Sequence, residues 1–436
     1  MALNFDINKY SAIIKNLDTV VCTGKVSQVI GLAVECVGLN ARMGDVCSVQ
    51  TGKDAYVTAE VVGFRDNKVL LMPLGELSGV GPEYKVRATN ERLKVPVGAR
   101  MLGRVIDAFG NPMDGLGPFE FEAMRPIDNQ PPSPLLRRRI KEVLPLGVKA
   151  IDSMLTIGKG QRIGIFAGSG VGKSTLLGMM ARNARSDVNV IILVGERGRE
   201  VRDFLEKDLQ EEGLKKSVIV CATSDRPALE RLKSASAGTS VAEYFRDQGC
   251  DVLLMMDSLT RFAMAQREIG MAIGEPPVSR GYTPSVYAAM PKLLERSGSS
   301  DKGAITALYT VLVEGDDMNE PISDTVRGIL DGHIVLSRKL ANNNHYPAID
   351  VLHSVSRLMP DIVTKEHYGQ AGKVRNLMSV YRDMQDLIAI GAYKKGSDPE
   401  VDRAIAQMGP INELLMQQVG ENYSFEEIVD MLMQIG

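Results

Sequence analysis

The chain of 436 residues is 44% hydrophobic and 24% charged, and its formal net charge is −3. A chain this long exceeds the size at which a single hydrophobic core keeps growing, so two or three domains are expected. The slightly acidic balance argues against nucleic acid as the main partner, because nucleic-acid-binding domains usually carry a basic surface.

Five cysteines, none of them in a CxxC pair, argue against a zinc site and against a disulfide framework. They are typical of free thiols in a reducing cytosol. The N-terminus has no basic segment followed by an apolar one, and the chain has no run of about 18 apolar residues. We therefore expect a cytoplasmic protein, or one that is at most peripheral to a membrane.

The first predicted element is a helix within residues 1–19, where apolar residues recur every three or four positions: Leu3, Ile7, Tyr10, Ile14 and Leu17. So short a helix is marginal alone, and its stripe packs either on the protein's own core or on a partner. Residues 20–92 are short β-branched runs separated by turn residues, with Arg65-Asp66-Asn67-Lys68 as a predicted hairpin loop. They predict a small β-barrel domain.

Strands alternate with helices over residues 93–365, which predicts an α/β domain. Its apolar runs are nearly continuous, as expected for parallel strands covered on both faces: residues 162–167, 188–194, 217–222, 252–256 and 305–313. Residues 366–436 are helical again, with one shared apolar face: Val374, Leu377, Tyr381, Met384, Leu387 and Ile388. The predicted fold is a β-barrel, a central α/β domain and a C-terminal helical domain.

A glycine-rich turn separates a strand that ends at Phe166 from a helix that begins near Lys173. Its sequence is Gly168-Ser169-Gly170-Val171-Gly172-Lys173-Ser174-Thr175, in the strand-turn-helix context of a phosphate-binding loop. The glycines let backbone N–H groups surround an anion at the positive end of the helix. Lys173 can then reach the β- and γ-phosphates, and the Ser174 hydroxyl can bind Mg²⁺. The strict pattern has glycine where this chain has Ala167.

Two carboxylates follow predicted strands at the same sheet edge. Asp257 ends the run 252–256 and can hold the water shell of a magnesium ion, although many strands end in an aspartate that only caps a turn. Glu196 follows the run 188–194 and suits the activation of an attacking water. The charged stretch around Glu196 is equally compatible with a solvated surface, and the residues alone leave both interpretations open.

Several longer segments carry a family resemblance. Those that resemble the catalytic beta subunit of rotary ATP synthase are the corner 195–197 and residues 240–247, 346–350 and 366–368. The chain is still more similar to the flagellar-type protein-export ATPases, the family that also serves type III secretion. The segments that carry this closer likeness are residues 313–321, 329–338 and 391–399. The likeness covers nearly the whole chain and implies a RecA-like ATPase domain that hydrolyses ATP with Mg²⁺.

The resemblance also implies roles for individual residues. The phosphate loop would bind ATP through Gly168, Ser169, Gly170, Val171, Gly172, Lys173, Ser174 and Thr175. Glu196 would polarise the attacking water, and Arg197 would lie near the γ-phosphate. Glu200 and Asp257 would support the metal through water, beside the Ser174 ligand.

Two further roles implied by the resemblance concern residues outside the loop. Tyr346 would pack against adenine, whereas without the family it would pass for an ordinary half-buried aromatic. Arg357 would be inserted by the neighbouring subunit to stabilise charge in the transition state. Oligomerisation would then be a catalytic requirement, and the family implies a homohexameric ring.

Partners are implied in the same way. A peripheral-stalk-like negative regulator would dock on residues 3–17, and a central-stalk-like protein would occupy the pore near the loop 274–282, which is otherwise a plain connector. Export chaperone–substrate complexes and a membrane export gate would be further partners, at the cytoplasmic face of the inner membrane. Hydrolysis would energise the unloading or unfolding of cargo.

Two other functions are compatible with a phosphate loop. A nucleotide-binding structural subunit would lack turnover, and Glu196 argues against it, because the non-catalytic synthase subunits lack that glutamate. An RNA-translocating motor would need stacking aromatics on the barrel, where only Tyr56, Phe64 and Tyr84 occur, widely separated. RNA-stimulated hydrolysis would revive that alternative.

Overall fold

The computed structural model describes residues 22–313, 315 and 317–435. Within them the chain divides into two compact units: residues up to Leu93 together with Ala272–Gly274, and Lys94–Met271 together with residues from Glu275 onward. The predicted N-terminal helix lies outside the described residues.

The first unit is a closed antiparallel barrel, as predicted, with strand order β1-β2-β5-β4-β3-β6. Its strands are β1 (Thr23–Ile30), β2 (Ala33–Val37), β3 (Asp45–Gln50), β4 (Tyr56–Arg65), β5 (Lys68–Pro73) and β6 (Lys85–Arg92). Alternate residues fill the interior, among them Val26, Val34, Val49 and Leu71. The predicted hairpin loop is confirmed: Asp66 and Asn67 alone join β4 to β5, both with positive φ (47° and 60°), as a two-residue hairpin turn requires.

The second unit is built on a nine-stranded sheet with main order β17-β16-β10-β15-β13-β11-β12-β8. The five predicted strands are β10 (Arg162–Ala167), β11 (Val188–Glu196), β12 (Ser217–Thr223), β13 (Asp251–Asp257) and β15 (Ala304–Leu312). The others are β8 (Val105–Ile106), β14 (Gly298–Ser299), β16 (Gly332–Leu336) and β17 (Val355–Ser356), and a separate ribbon pairs β7 (Lys94–Val97) with β9 (Ala123–Pro126). Strands β8, β10–β13, β15 and β16 run parallel, so their carboxyl ends meet at one edge.

Helices cover this sheet. They are α1 (Lys149–Met154), α2 (Lys173–Asn183), α3 (Gly198–Asp203), α4 (Gln210–Lys215), α5 (Ala228–Asp247), α6 (Leu259–Ala272), α7 (Pro284–Leu294), α8 (Pro321–Ile329), α9 (Arg338–Asn342) and α10 (Met359–Ile362). A π-helical segment, Phe204–Leu209, lies between α3 and α4. The strands are buried along almost their whole length, which explains their continuous apolar sequence.

The C-terminal part is helical, as predicted, with α11 (Lys365–Ala389), α12 (Pro399–Leu415) and α13 (Phe425–Met433). Val374 and Leu377 of the predicted stripe are buried, whereas Leu387 is 43% exposed. The periodicity therefore extends beyond the buried part of α11. Among the described residues, no helix combines the length and apolar character needed to cross a membrane.

Candidate active site

The glycine-rich turn joins the end of β10 at Ala167 to the start of α2 at Lys173. Gly170 and Gly172 have φ of +77° and +87°, a conformation that other residues rarely adopt. The N-cap residue of α2 is Gly172, which has no side chain to cap the first turn, so the N–H groups there can receive an anion. Ala167 is the last residue of β10 and is not among the residues with positive φ, so its backbone does not require glycine.

A cleft of about 710 Å³ opens above this turn. It is lined by Ala167, Gly168, Ser169, Gly170, Gly172, Lys173, Ser174, Thr175, Glu196, Arg197, Glu200, Thr260, Arg261, Met264, Leu312, Val313, Gly315 and Arg338. The predicted loop residues and the Glu196 corner thus share one cavity. The exception is Val171, whose side chain packs into the hydrophobic core.

Lys173, which lines the cleft, is paired with Asp257. The Lys173 ammonium forms a hydrogen-bonded ion pair with Oδ1 of Asp257, which also accepts a 2.8 Å hydrogen bond from the Thr310 hydroxyl. Both side chains of the ion pair are largely buried, which strengthens their attraction. Thr310 escaped the sequence analysis, and the only signal for it is a hydroxyl within the apolar strand β15.

Glu196 is brought into the cleft by an irregularity in β11. The pairing of β11 with β12 shifts between Val194 and Glu196, and Gly195 has φ of +68°. Such a bulge at a strand end turns a side chain towards a site. Glu196 is only 8% exposed, so it is not part of a solvated charge run.

Burial is the main reason why the pKa of Glu196 is raised to about 7, and the negative charge of Asp257 raises it further while Lys173 opposes the shift. The pKa of Glu200 is lowered, first by its hydrogen bond with Glu196 and also by Arg197, whose Nη1 lies 2.8 Å from Glu200 Oε1. The pKa of Glu196 is therefore raised while the pKa of the neighbouring Glu200 is lowered. This arrangement is typical of sites that use one carboxyl as a base near neutral pH.

The raised pKa predicts a pH dependence. Glu196 can act as a base towards water only when ionised, so kcat/KM for ATP is expected to fall about tenfold for each unit below pH 7. Steady-state assays from pH 5 to 9 test this. As a control, the Glu196→Gln variant should lack this fall towards acid pH; the same fall in the variant would contradict the assignment.

Tyr346 lies beside the phosphate loop. A Cβ atom built on Gly172 would lie 3.4 Å from Cε1 of the tyrosine ring. The side chain is 40% exposed and leaves a ring face open. Its backbone carbonyl accepts a 3.0 Å hydrogen bond from the N–H of Gln417, so the C-terminal region contacts this subsite.

Arg357 does not line the cleft of its own chain. It follows the edge strand β17, is exposed, and donates through Nη2 to the carbonyl of Arg327 at 3.3 Å. The structure therefore separates Arg357 from the phosphate loop and from Glu196 of its own chain.

Two arginines in the cleft were missed. Arg261 lies four residues after Asp257 on the first turn of α6, with Nε 3.6 Å from Glu196 Oε1. Arg338 follows β16 and donates through Nη1 to the carbonyl of Ser169 at 3.1 Å. Their positions after buried strands at the same sheet edge could have indicated both.

Three regions of the chain match models of known protein families. Residues 147–356 match the nucleotide-binding domain of the ATP synthase alpha/beta family, residues 26–90 match the beta-barrel domain of that family, and residues 363–434 match the T3SS EscN ATPase C-terminal domain. The flagellum-specific ATP synthase of Bacillus subtilis is 56% identical over 93% of both chains. The type 3 secretion system ATPase of Xanthomonas euvesicatoria is 50% identical over 94% of this chain and 93% of its own.

The chain belongs to the family of flagellum-specific and type III secretion ATPases. It is an ATPase, and the predicted resemblance is confirmed. A solved structure of this family, the assembled ATPase EscN of enteropathogenic E. coli in complex with its central stalk EscO, matches with a TM-score of 0.88 and 46% identity. The match covers 94% of this chain and 99% of that one.

Proposed function

We propose that this ATPase acts as a homohexameric ring whose hydrolysis of MgATP energises flagellar-type protein export. The observation that supports a ring is the separation of Arg357 from the cleft of its own chain. The cleft holds a phosphate loop, a lysine and a buried glutamate, while the exposed Arg357 lies outside it. An arginine that acts on the next subunit would account for this separation, because Arg357 of one subunit would then complete the site of its neighbour at the interface.

The phosphate loop and Lys173 would bind the ATP phosphates. Lys173 forms an ion pair with Asp257, and the phosphates of ATP would compete for this ammonium group. The freed Asp257 carboxylate, the Ser174 hydroxyl and Glu200 are oxygen donors, which suit the magnesium ion that enters with ATP. Glu196 would then polarise the attacking water, and Arg197 would lie near the γ-phosphate.

The proposed partners rest on the surfaces of the second unit and on the relatives. In the loop 274–282, Val278 is 63% exposed and Arg280 pairs with Asp317 at 3.0 Å. A relative of this chain was solved with a central stalk, which supports a stalk-like protein in the pore here. The regulator at residues 3–17, the chaperone–substrate complexes, the export gate and the location at the inner membrane stay predictions of the family.

A ring-dependent site makes activity depend on concentration. Hydrolysis per subunit is expected to rise steeply with protein concentration and to level off when light scattering shows complete rings. The Lys173→Ala variant, assayed in parallel, corrects for contaminating ATPases. A specific activity that stays constant while the protein passes from monomer to ring would contradict the proposal.

The export role has its own test. Deletion of the gene should abolish swimming and filament export, and the wild-type gene should restore both. A deletion strain that swims normally but fails to secrete virulence proteins would assign the protein to the other branch of the family.

A further inference from the structure

The segment that carries Arg357 pairs with the sheet over only two residues. Strand β17 has two residues, and its pairing with β16 consists of Gly332 with Ser356 and His333 with Val355. The N–H of Arg357 donates to the carbonyl of Asp331 at 3.1 Å. Because the side chain itself is exposed, the position of its guanidinium depends on how firmly this backbone is fixed.

Gln161 contacts Ser356 and Asp331, the residues on either side of this backbone contact. Its Nε2 donates to Ser356 Oγ at 3.0 Å and to the carbonyl of Asp331 at 3.3 Å. The Ser356 hydroxyl in turn donates to the carbonyl of Thr156 at 2.8 Å. Gln161 is fully buried, so water cannot replace these hydrogen bonds when they are lost.

Arg162 adds further hydrogen bonds to Asp331. We call Gln161, Arg162, Asp331 and Ser356 together the anchor of β17. Arg162 donates through its backbone N–H and through Nε to Oδ2 of Asp331, and through Nη2 to Oδ1, at 3.1 to 3.2 Å. The carbonyl of Arg162 accepts from the N–H of Asp331 at 2.9 Å. Asp331 is thus held on both sides, and its carbonyl is the acceptor for Arg357.

Close packing completes the anchor. A Cβ atom at Gly332 would lie 2.4 Å from the carbonyl oxygen of Val355, so only glycine lets β17 approach β16 this closely. The anchor also begins the strand that carries the phosphate loop, because Gln161 and Arg162 stand at one end of β10 and Ala167 at the other. One strand therefore supports the nucleotide site of its own subunit and the arginine offered to the next.

We propose that Gln161 and Ser356 are positioning residues for Arg357, and that their hydrogen bonds set the catalytic rate in the neighbouring subunit's site. The inference rests on the proposed action of Arg357 between subunits. Substitution of Gln161 or Ser356 should therefore lower hydrolysis at the nucleotide site of the neighbouring subunit and not at the site of the substituted subunit. A residue that only stabilised its own domain would affect its own site instead.

The test uses full-length Gln161→Glu and Ser356→Ala. Glutamate keeps the acceptor for the N–H of Gly158, which lies 2.9 Å from Gln161 Oε1, but loses both donors to the finger segment. We expect kcat to fall by about tenfold to a hundredfold, as for a misplaced catalytic group, with KM and analogue binding unchanged. The control is Ser217→Ala, which removes another fully buried hydroxyl of this sheet. The Ser217 hydroxyl donates to the carbonyl of Gly213 and not to the segment that carries Arg357, so kcat should be unchanged.

Mixed rings identify the affected site. Lys173→Ala subunits have an inactive loop and an intact finger, so random mixing with Gln161→Glu subunits should pair about one site in four correctly and raise the activity. Mixing Gln161→Glu with Arg357→Ala should give no recovery, because both finger segments are defective. Ser356→Ala is expected to behave in the same way, and it carries the test alone if Gln161→Glu rings do not assemble.

The outcomes separate the two proposals. Recovery of Arg357→Ala with Lys173→Ala, but not of the Gln161 and Ser356 variants, would overturn the positioning role and leave the finger intact. Failure of the Arg357→Ala mixture itself would overturn the action between subunits, and the positioning role with it. Recovery of all three variants supports the inference.

Discussion

Replacement of Glu196 by glutamine is expected to lower kcat by about two to four orders of magnitude, the usual contribution of a positioned general base. Glutamine has nearly the same shape and cannot take a proton from water. Nucleotide binding should persist or tighten, because the variant removes a negative charge from a cleft that receives phosphates. Phosphate release and fluorescent-nucleotide titration measure the two quantities separately.

The matched control is Glu200→Gln. Glu200 lines the same cleft but its side chain is 46% exposed and paired with Arg197, so its loss should lower kcat less than the loss of Glu196. Retention of full activity by Glu196→Gln would refute the mechanism. Equal losses of kcat in Glu196→Gln and Glu200→Gln would show that the two carboxylates act together on the attacking water.

Thermal stability shows whether Glu196→Gln acts through chemistry or through the fold. The pKa of Glu196 is about 7 in the folded protein against an ordinary value of 4.5, so the folded state holds the proton more tightly than the unfolded state. Between these values stability decreases as pH rises, because the buried carboxyl must ionise. The variant escapes this cost, and its melting temperature relative to the wild type should be higher at pH 8 than at pH 5.

Replacement of Arg357 by alanine is expected to lower kcat by about 10³-fold or more, the range measured for arginine fingers, while nucleotide binding is kept. Because the side chain is exposed and makes one hydrogen bond to the Arg327 carbonyl, its removal should leave the fold and ring assembly intact. Stopped-flow binding, light scattering and phosphate release measure these properties on the same preparation.

Mixing establishes where the arginine acts. Arg357→Ala has an intact loop and Lys173→Ala an intact finger, so a mixed ring regains sites that neither variant forms alone. The matched control is Arg327→Ala, which lies next to Arg357 but contributes only its carbonyl to that contact. Mixed rings as inactive as their parents would show that Arg357 acts in its own subunit or not on the reaction.

The sequence alone indicated most of the architecture. Buried parallel strands are covered on both faces, so their apolar runs are continuous, and β10, β11, β12, β13 and β15 were predicted within one or two residues at most of their ends. The barrel hairpin was equally visible, because Asp66 and Asn67 suit a turn with positive φ. The burial of the predicted stripe on α11 was not predictable, since periodicity shows which residues share a face but not how far a neighbour covers it.

The phosphate loop was determined locally, because its glycines, lysine and serine are consecutive and need only a strand before them and a helix after them. Other features depended on residues distant in the chain. The raised pKa of Glu196 arises from burial and from Asp257, 61 positions away, which no local pattern shows. The exposure of Arg357 away from the cleft, and its anchorage by Gln161 almost 200 positions earlier, exist only once β10, β16 and β17 have paired. Local backbone chemistry is encoded in neighbouring residues, whereas burial, electrostatic coupling and anchorage are set by the packing of strands that the chain brings together from far apart.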